Sequence, residues 1–395
     1  MVQGVTKVRV FWGLAVLLMG GVRADDPFEG LDARPPAPPP AAGKTGFFQE
    51  NFTFKKELYA QFSQDSRADG LPYSRQSAGF EALKVFSTPT AKAASLYVQG
   101  RLVRRDRFVE TPGDMDGAGR EGWAFEVHNL YLDVYDVLGA GGRVNVRAGH
   151  FYLPFGLNLQ TDTHGTLLQL SNGRNFGFER DWYAGFWGAA TPDLNYDAYW
   201  LLGGGDDLAF RGQEGMAGAR LSLAGHLRNE LGLEGGLSFL GGERLDREAL
   251  DRSPALAATS AAMEDPVVRT ERAGMDARWT RLVPTGSVSL AAELSAGYDG
   301  PQRVFTELYQ VEHLTVRRDW GLSAQYRRFW QDVDPGAMPG DRRADASVIG
   351  EIAYYLRNDI GGAYLHAIRL DVEGQVERQS GSGGSIITLQ YYRYW

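Results

Sequence analysis

The residues that could carry covalent or metal chemistry are few, and their spacing organises none. The chain has six histidines, His128, His150, His164, His226, His313 and His366, and no cysteine. There is no His-Glu-x-x-His pair, and no thiolate to complete a zinc set. Without Cys-x-x-Cys-His the chain cannot hold a covalent c-type haem, and without Cys it has no disulfide framework or lipid-attachment site. No Gly-x-Ser-x-Gly elbow is present, so a hydrolase of that type lacks its nucleophile turn. Asp162, Thr163 and His164 with Ser171 imitate a Ser/His/Asp set, but one local run of common polar residues is better read as a loop. Gly203-Gly204-Gly205-Asp206-Asp207 resembles an exposed cation loop, and a turn explains it as well. The sequence therefore describes a non-enzyme that needs no cofactor.

The polar residues that do fall into order lie on alternating runs. Residues 123–158 read as an antiparallel hairpin around Gly139-Ala140-Gly141-Gly142. Leu130, Leu132 and Val134 face one way, and Tyr131, Asp133 and Tyr135 the other. In the return run Val144, Val146 and Ala148 alternate with Arg143, Asn145 and Arg147. One face is apolar and the other polar or charged.

The pattern recurs from Phe47 onward. Phe52, Phe54, Leu58, Ala60 and Phe62 mark a first strand, and a weak second falls within residues 78–87. Trp182, Ala184 and Phe186 answer Leu194 to Leu202 across Pro192-Asp193. Ala219, Leu221 and Leu223 pair with Leu231, Leu233, Leu237 and Phe239. The cleanest strand sets Val288, Leu290, Ala292, Leu294, Ala296 and Tyr298 on one face. Short Gly-rich turns alternate with long polar loops, among them residues 104–122, 157–181, 241–266 and 331–345.

The count is about 15 or 16 strands, and an even number suits a bacterial barrel. Most reach the roughly 9 to 11 residues that cross a bilayer when tilted. Beyond the N-terminus no run approaches a spanning helix, so a closed barrel is the membrane structure available. Aromatics at strand ends (Trp123, Tyr152, Trp182, Tyr183, Tyr298, Trp320, Trp330, Tyr354 and Tyr391) read as interfacial girdles. A soluble sandwich or propeller would leave them unexplained. The fold class is an all-β, transmembrane antiparallel barrel of about 16 strands.

The ends point the same way. Residues 1–24 have a basic start at Lys7 and Arg9, an apolar run over residues 10–19 and a small-residue cleavage site at Val22-Arg23-Ala24, which together read as a secretory signal. Removing it takes three of the 41 Lys and Arg and none of the 49 Asp and Glu, so a formal charge of −8 becomes −11. That excludes nucleic acid as an expected partner. Residues 25–46, with Pro35, Pro36, Pro38, Pro39 and Pro40, form an extended periplasmic tether. Residues 47–395 form the barrel. The last strand sets Ile387, Leu389, Tyr391 and Trp395 on one face and so resembles the closing strand that barrel assembly machinery reads, with Tyr391 and Trp395 as the signal. Arg393 interrupts that stripe and must snorkel into an interface, where its cost falls to about 0–1 kcal/mol.

Residues 146–158, VRAGHFYLPFGLN, resemble the outer-membrane porin family typified by the phosphate-selective porins O and P. Gly149, Phe151, Pro154, Phe155 and Gly156 stand where that family ends a strand before a long loop. The resemblance implies a porin-like barrel. Pro154 stops ladder pairing and Gly156 permits an unusual backbone angle. With Phe155 they form a hinge from which residues 157–181 either fold inward as a constriction or cover the outer mouth. The family's anion selectivity does not carry over, because the inward charges are mixed: Arg101, Arg147, Arg327, Arg357 and Arg369 beside Glu57, Glu234, Glu293, Glu351, Asp371 and Glu373. These are the pore-lining candidates.

The expected function is an outer-membrane porin that passes small hydrophilic solutes by diffusion. The alternative is the barrel sheath of a porin–cytochrome conduit, with a multihaem cytochrome in the lumen. The partners expected are outer-membrane lipid, the assembly machinery, and either two further copies in a trimer or that cytochrome.

Overall fold

A computed structural model describes residues 52–66, 73–89, 91–106, 122–139, 141–157, 168, 172–205, 208, 215–245, 267–332, 342–359, 364–378 and 384–395. The signal and tether segments, residues 1–24 and 25–46, lie outside them, as do Asp162, Thr163, His164 and Ser171.

Sixteen strands form one closed antiparallel barrel in which each pairs with its sequence neighbours. They are β1 (Phe52–Asp65), β2 (Tyr73–Ser87), β3 (Lys92–Asp106), β4 (Gly122–Val134), β5 (Asn145–Tyr152), β6 (Arg180–Thr191), β7 (Leu194–Leu201), β8 (Met216–Leu223), β9 (Leu233–Leu245), β10 (Val267–Val283), β11 (Gly286–Asp299), β12 (Gln302–Thr315), β13 (Trp320–Asp332), β14 (Arg342–Asn358), β15 (Leu365–Arg378) and β16 (Ser385–Tyr394). Two short helices, α1 (Asn172–Phe176) and α2 (Gly225–Leu231), sit in connections. β1 closes on β16, with Glu57 opposite Tyr394 and Asp65 opposite Ile386. Lys56 and Trp395 exchange backbone hydrogen bonds of 2.8 and 3.1 Å. No strand edge is left open, so the closed sheet satisfies its backbone groups internally, as a membrane requires.

The period-2 pattern decides which way each side chain points. In β1, Phe54, Leu58 and Phe62 face outward and are exposed, whereas Glu57, Tyr59 and Ser63 face inward and are buried. The closing strand behaves likewise, with Ile387 and Leu389 outward and Thr388 and Gln390 inward. Trp123, Tyr298, Trp320 and Tyr354 are exposed on the outside, as girdle residues are.

Several elements differ from the sequence reading. β2 begins at Tyr73 and is a full strand. Its signal is weak because Leu83 and Val85 fall on the inward parity and Lys84 on the outward one, which interrupts the stripe of Ala78, Phe80, Ala82 and Phe86. Leu231 belongs to α2, which ends where Gly232 adopts φ 61° and donates to the Arg228 carbonyl at 3.1 Å. β9 runs through Gly241 to Leu245, so the following loop is shorter than the composition suggests. Tyr152 and Tyr183 are buried inside rather than in a girdle. They belong to an apolar cluster with Phe151, Leu153, Phe155, Phe176, Phe178, Tyr199, Leu201, Met216 and Leu240. The barrel thus carries a small hydrophobic core within, beneath the β5–β6 connection.

Candidate functional site

The β5–β6 connection turns into the barrel. Leu153 makes a last ladder bond, donating to the Glu179 carbonyl at 2.9 Å. Pro154 has no N–H to continue the ladder, and Phe155 donates back to the Leu153 carbonyl at 2.9 Å across it, closing a tight three-residue turn. Gly156 then takes φ 63° beneath Glu293, where a Cβ would run into the carboxyl group. Pro154, Phe155 and Gly156 are all buried.

From that turn the connection fastens to the inner wall of strands far away in sequence. Gly156 N–H donates to Ser238 Oγ of β9 at 3.2 Å, and Leu157 N–H to Glu293 Oε2 of β11 at 2.7 Å. Tyr199 of β7 donates its hydroxyl to the Pro154 carbonyl at 3.3 Å. The Phe155 ring lies on Gly274 of β10, where an added Cβ would stand 2.7 Å from it. The same ring meets Phe176 edge to face at 5.0 Å. α1 supplies Asn175, fully buried, whose amide donates to Ser295 Oγ of β11 at 2.8 Å. Its carbonyl oxygen accepts from Arg272 Nε of β10 at 2.9 Å and Thr306 Oγ1 of β12 at 3.4 Å. Arg272 is fixed in turn by Asp299 at 2.9 Å, and Arg244 reaches the same carboxylate at 3.1 Å. The described part of the connection therefore lies along the inner wall from β7 to β12.

The inward charges elsewhere are grouped, and most are paired. Arg327 reaches Glu373 at 2.6 Å and Ser347 Oγ at 2.7 Å. Arg369 donates to Gln390 Oε1 at 2.6 Å, lies 4.0 Å from Glu351, and has its guanidinium 5.7 and 5.9 Å from the Tyr355 and Tyr392 rings. Asp371 is buried directly across from Glu351. Arg101 bonds both oxygens of Glu57, the second at 2.8 Å, and reaches His128 Nδ1 at 2.7 Å. A guanidinium only donates, so Nδ1 accepts and the ring proton falls on Nε2, 3.1 Å from Glu126. The β3–β4 bulge beside Gln99 turns His128 inward. Arg147 forms a two-pronged pair with Asp133 at 2.7 and 3.0 Å beneath the Phe151 ring.

The remaining two candidates stand at the rim where the chain termini of the barrel meet. Glu234 is half-buried on β9 and bonded to Arg228 of α2 at 3.1 Å. Arg357 lies outside the lumen, because a bulge between Tyr355 and Arg357 shifts its register. It stacks 3.9 Å from the Tyr364 ring centroid. It also bonds Asp359 at 2.7 Å, and that hydrogen bond holds the Asp359 carboxyl below its ordinary pKa.

Sequence reasoning did not find Asn175, Ser238, Ser295 or Arg272, which hold the connection in place. The two asparagines of α1, Asn172 and Asn175, were the available signal, since buried amides need fixed partners. Among the described residues no group of His, Asp and Glu forms a metal site.

No family model and no curated protein matches the sequence. Solved structures do. OprB of Pseudomonas putida aligns with TM-score 0.58 at 10% identity, over 87% of this chain and 94% of its own. OmpF of Salmonella typhi, solved with daunomycin, gives 0.56 at 10% over 87% and 98%. An anion-selective porin from Comamonas acidovorans gives 0.53 at 9% over 87% and 99%. At these identities the likeness is one of fold. The chain is a 16-stranded antiparallel barrel with the fold of these outer-membrane porins.

Proposed function

We propose that the protein is a porin through which small hydrophilic solutes or ions diffuse across the outer membrane. The observation that carries this reading is the β5–β6 connection, which leaves the wall at Pro154 and is tied inside the barrel through Glu293, Ser238 and Asn175. A segment held there by side-chain bonds narrows the lumen to a fixed aperture, as a diffusion channel needs. The inner wall from β13 to β16 and β1 to β4 carries Arg327, Glu351, Arg369, Asp371, Glu373, Glu57 and Arg101, mixed in sign and packed against one another rather than open to solvent. Charges neutralised in this way give the lumen no strong preference for one sign of ion.

The sheath reading is the weaker one. A cytochrome in the lumen needs the volume that the inner apolar cluster and the docked connection occupy. The resemblance to the phosphate-selective porins rests on residues 149–156 alone, and paired arginines do not form the ladder of unpaired cations that phosphate selectivity needs.

Liposome swelling tests the reading. Vesicles holding the purified chain should swell in small neutral sugars at rates that fall with solute size, and raffinose-sized solutes should enter at least tenfold more slowly than arabinose. Vesicles that hold folded barrels and admit no sugar would overturn the proposal.

A further inference from the structure

Arg393 is the one charge in the outward stripe of the closing strand, and the channel reading gives it no part. It is exposed and points toward lipid. In the sheet it stands directly opposite His366 of β15 and Leu58 of β1. Lys56, two residues before Leu58 and also outward and exposed, faces Trp395 through the backbone pair that closes the barrel. Directly opposed Cβ atoms in an antiparallel pair lie about 4.5–5.5 Å apart and diagonal neighbours about 7–8 Å. Three nitrogen-bearing side chains on three adjacent strands therefore converge where the first and last strands meet.

Among the described residues none of the three makes an ion pair. Arg393 stacks 4.6 Å from the Trp395 ring centroid, and His366 meets the Tyr391 ring edge to face at 5.3 Å. Among the described residues, the outward positions of β1, β15 and β16 hold no Asp or Glu. Arg357 of β14 stands directly opposite His366 but is taken up by Asp359. Along the strands from the cluster the outward face is wholly apolar, with Leu58, Phe62, Ile368, Leu370, Ile387 and Leu389 exposed. Like charges on neighbouring strands repel, and so near the bilayer they call for an anion. The group a membrane offers at that depth, beside Trp395 and Tyr391, is a headgroup phosphate.

We propose that the seam of β1, β15 and β16 is a binding site for an anionic phospholipid. Lys56, Arg393 and the His366 ring would hold the phosphodiester, and the acyl chains would lie on Leu58, Ile368 and Leu389. Arg393 offers a planar fork that two phosphate oxygens accept, and Lys56 a point charge beside it. A lipid so held bridges the first and last strands, the pair that closes the barrel. The site rests on the membrane-barrel fold and is independent of whether the lumen conducts.

Native mass spectrometry of the purified full chain tests it, after exchange into micelles or nanodiscs of phosphatidylcholine containing a tenth phosphatidylglycerol. The wild type should retain one phosphatidylglycerol in clear preference to phosphatidylcholine, and added inorganic phosphate should not displace it. Lys56→Gln with Arg393→Gln should reduce that preference at least tenfold. Arg393→Lys should keep part of it, and Arg303→Gln, at the opposite rim on β12, all of it. Should the closing-strand variants fail to fold, Lys56→Gln with His366→Gln leaves that strand intact and should still lose at least threefold. Absence of preference in the wild type, equal retention by the double variants, or displacement by inorganic phosphate alone would overturn the proposal.

Discussion

Glu293 and Arg101 show how differently two inward charges are employed. Glu293 accepts the Leu157 N–H and closes over Gly156, so it fastens the start of the β5–β6 connection to the inner wall. Glu293→Ala should release that segment. Single-channel recordings should then show a mean conductance raised by roughly half or more, or frequent flicker between levels, while heat stability on gels falls little. Gly156→Val should give the same phenotype, because its φ of 63° and the carboxyl above it exclude a side chain. Arg101 with Glu57 is instead a buried pair in the wall, 1% and 3% exposed. Removing the arginine strands a carboxylate, which for buried pairs costs about 3–5 kcal/mol. Arg101→Ala should lower the temperature at which the barrel unfolds on gels, and Arg101→Ala with Glu57→Gln should recover part of the loss. Equal losses in the single and double variants would contradict the pairing account.

At the scale of elements, the strand pattern was legible because a barrel writes lipid outside and polar inside at a strict period of two. The hairpin around residues 139–142, the turn at Pro192-Asp193 and the long run from Val288 to Tyr298 all stand as strands or turns where that alternation put them. Alternation failed where polar and apolar residues swap parity, as at Leu83, Lys84 and Val85 of β2, or where a bulge shifts it, as at His128 and Arg357. It could not reveal the inner apolar cluster, since Phe151, Tyr183 and Tyr199 occupy inward positions that the pattern treats as polar. The anchors of the β5–β6 connection were invisible for another reason. Asn175 meets Ser295 and Arg272 across about a hundred residues of chain, and no local spacing encodes such pairs.

Strand length carries a further consequence. β5, β7 and β8 have eight residues each, whereas β10 and β14 have 17. Eight residues span about 26 Å along the strand, and at a tilt of about 40° roughly 20 Å of height, less than an apolar band of about 25 Å. The short strands β5, β7 and β8, with the 12-residue β6 among them, are where self-association would relieve the mismatch. Light scattering in mild detergent should give an oligomer, and Trp200→Lys with Leu221→Lys on the outward face of these strands should yield monomer. A monomeric wild type would remove this reading.

For the whole molecule, sixteen strands closed by Lys56 and Trp395 make the wall, and the described part of the β5–β6 connection is tied inside it to β9–β12, where on the proposed reading it sets what passes. The most direct measurement is the single-channel conductance of the refolded chain in a planar bilayer, beside a variant lacking the Glu293 and Asn175 anchors. The account predicts stable stepwise openings in the wild type and larger or noisier ones in the variant. It also predicts a reversal potential under a salt gradient within a few millivolts of zero, since the wall charges are mixed and mostly paired. Folded barrels that insert and stay silent, or anchor variants with unchanged conductance, would contradict it.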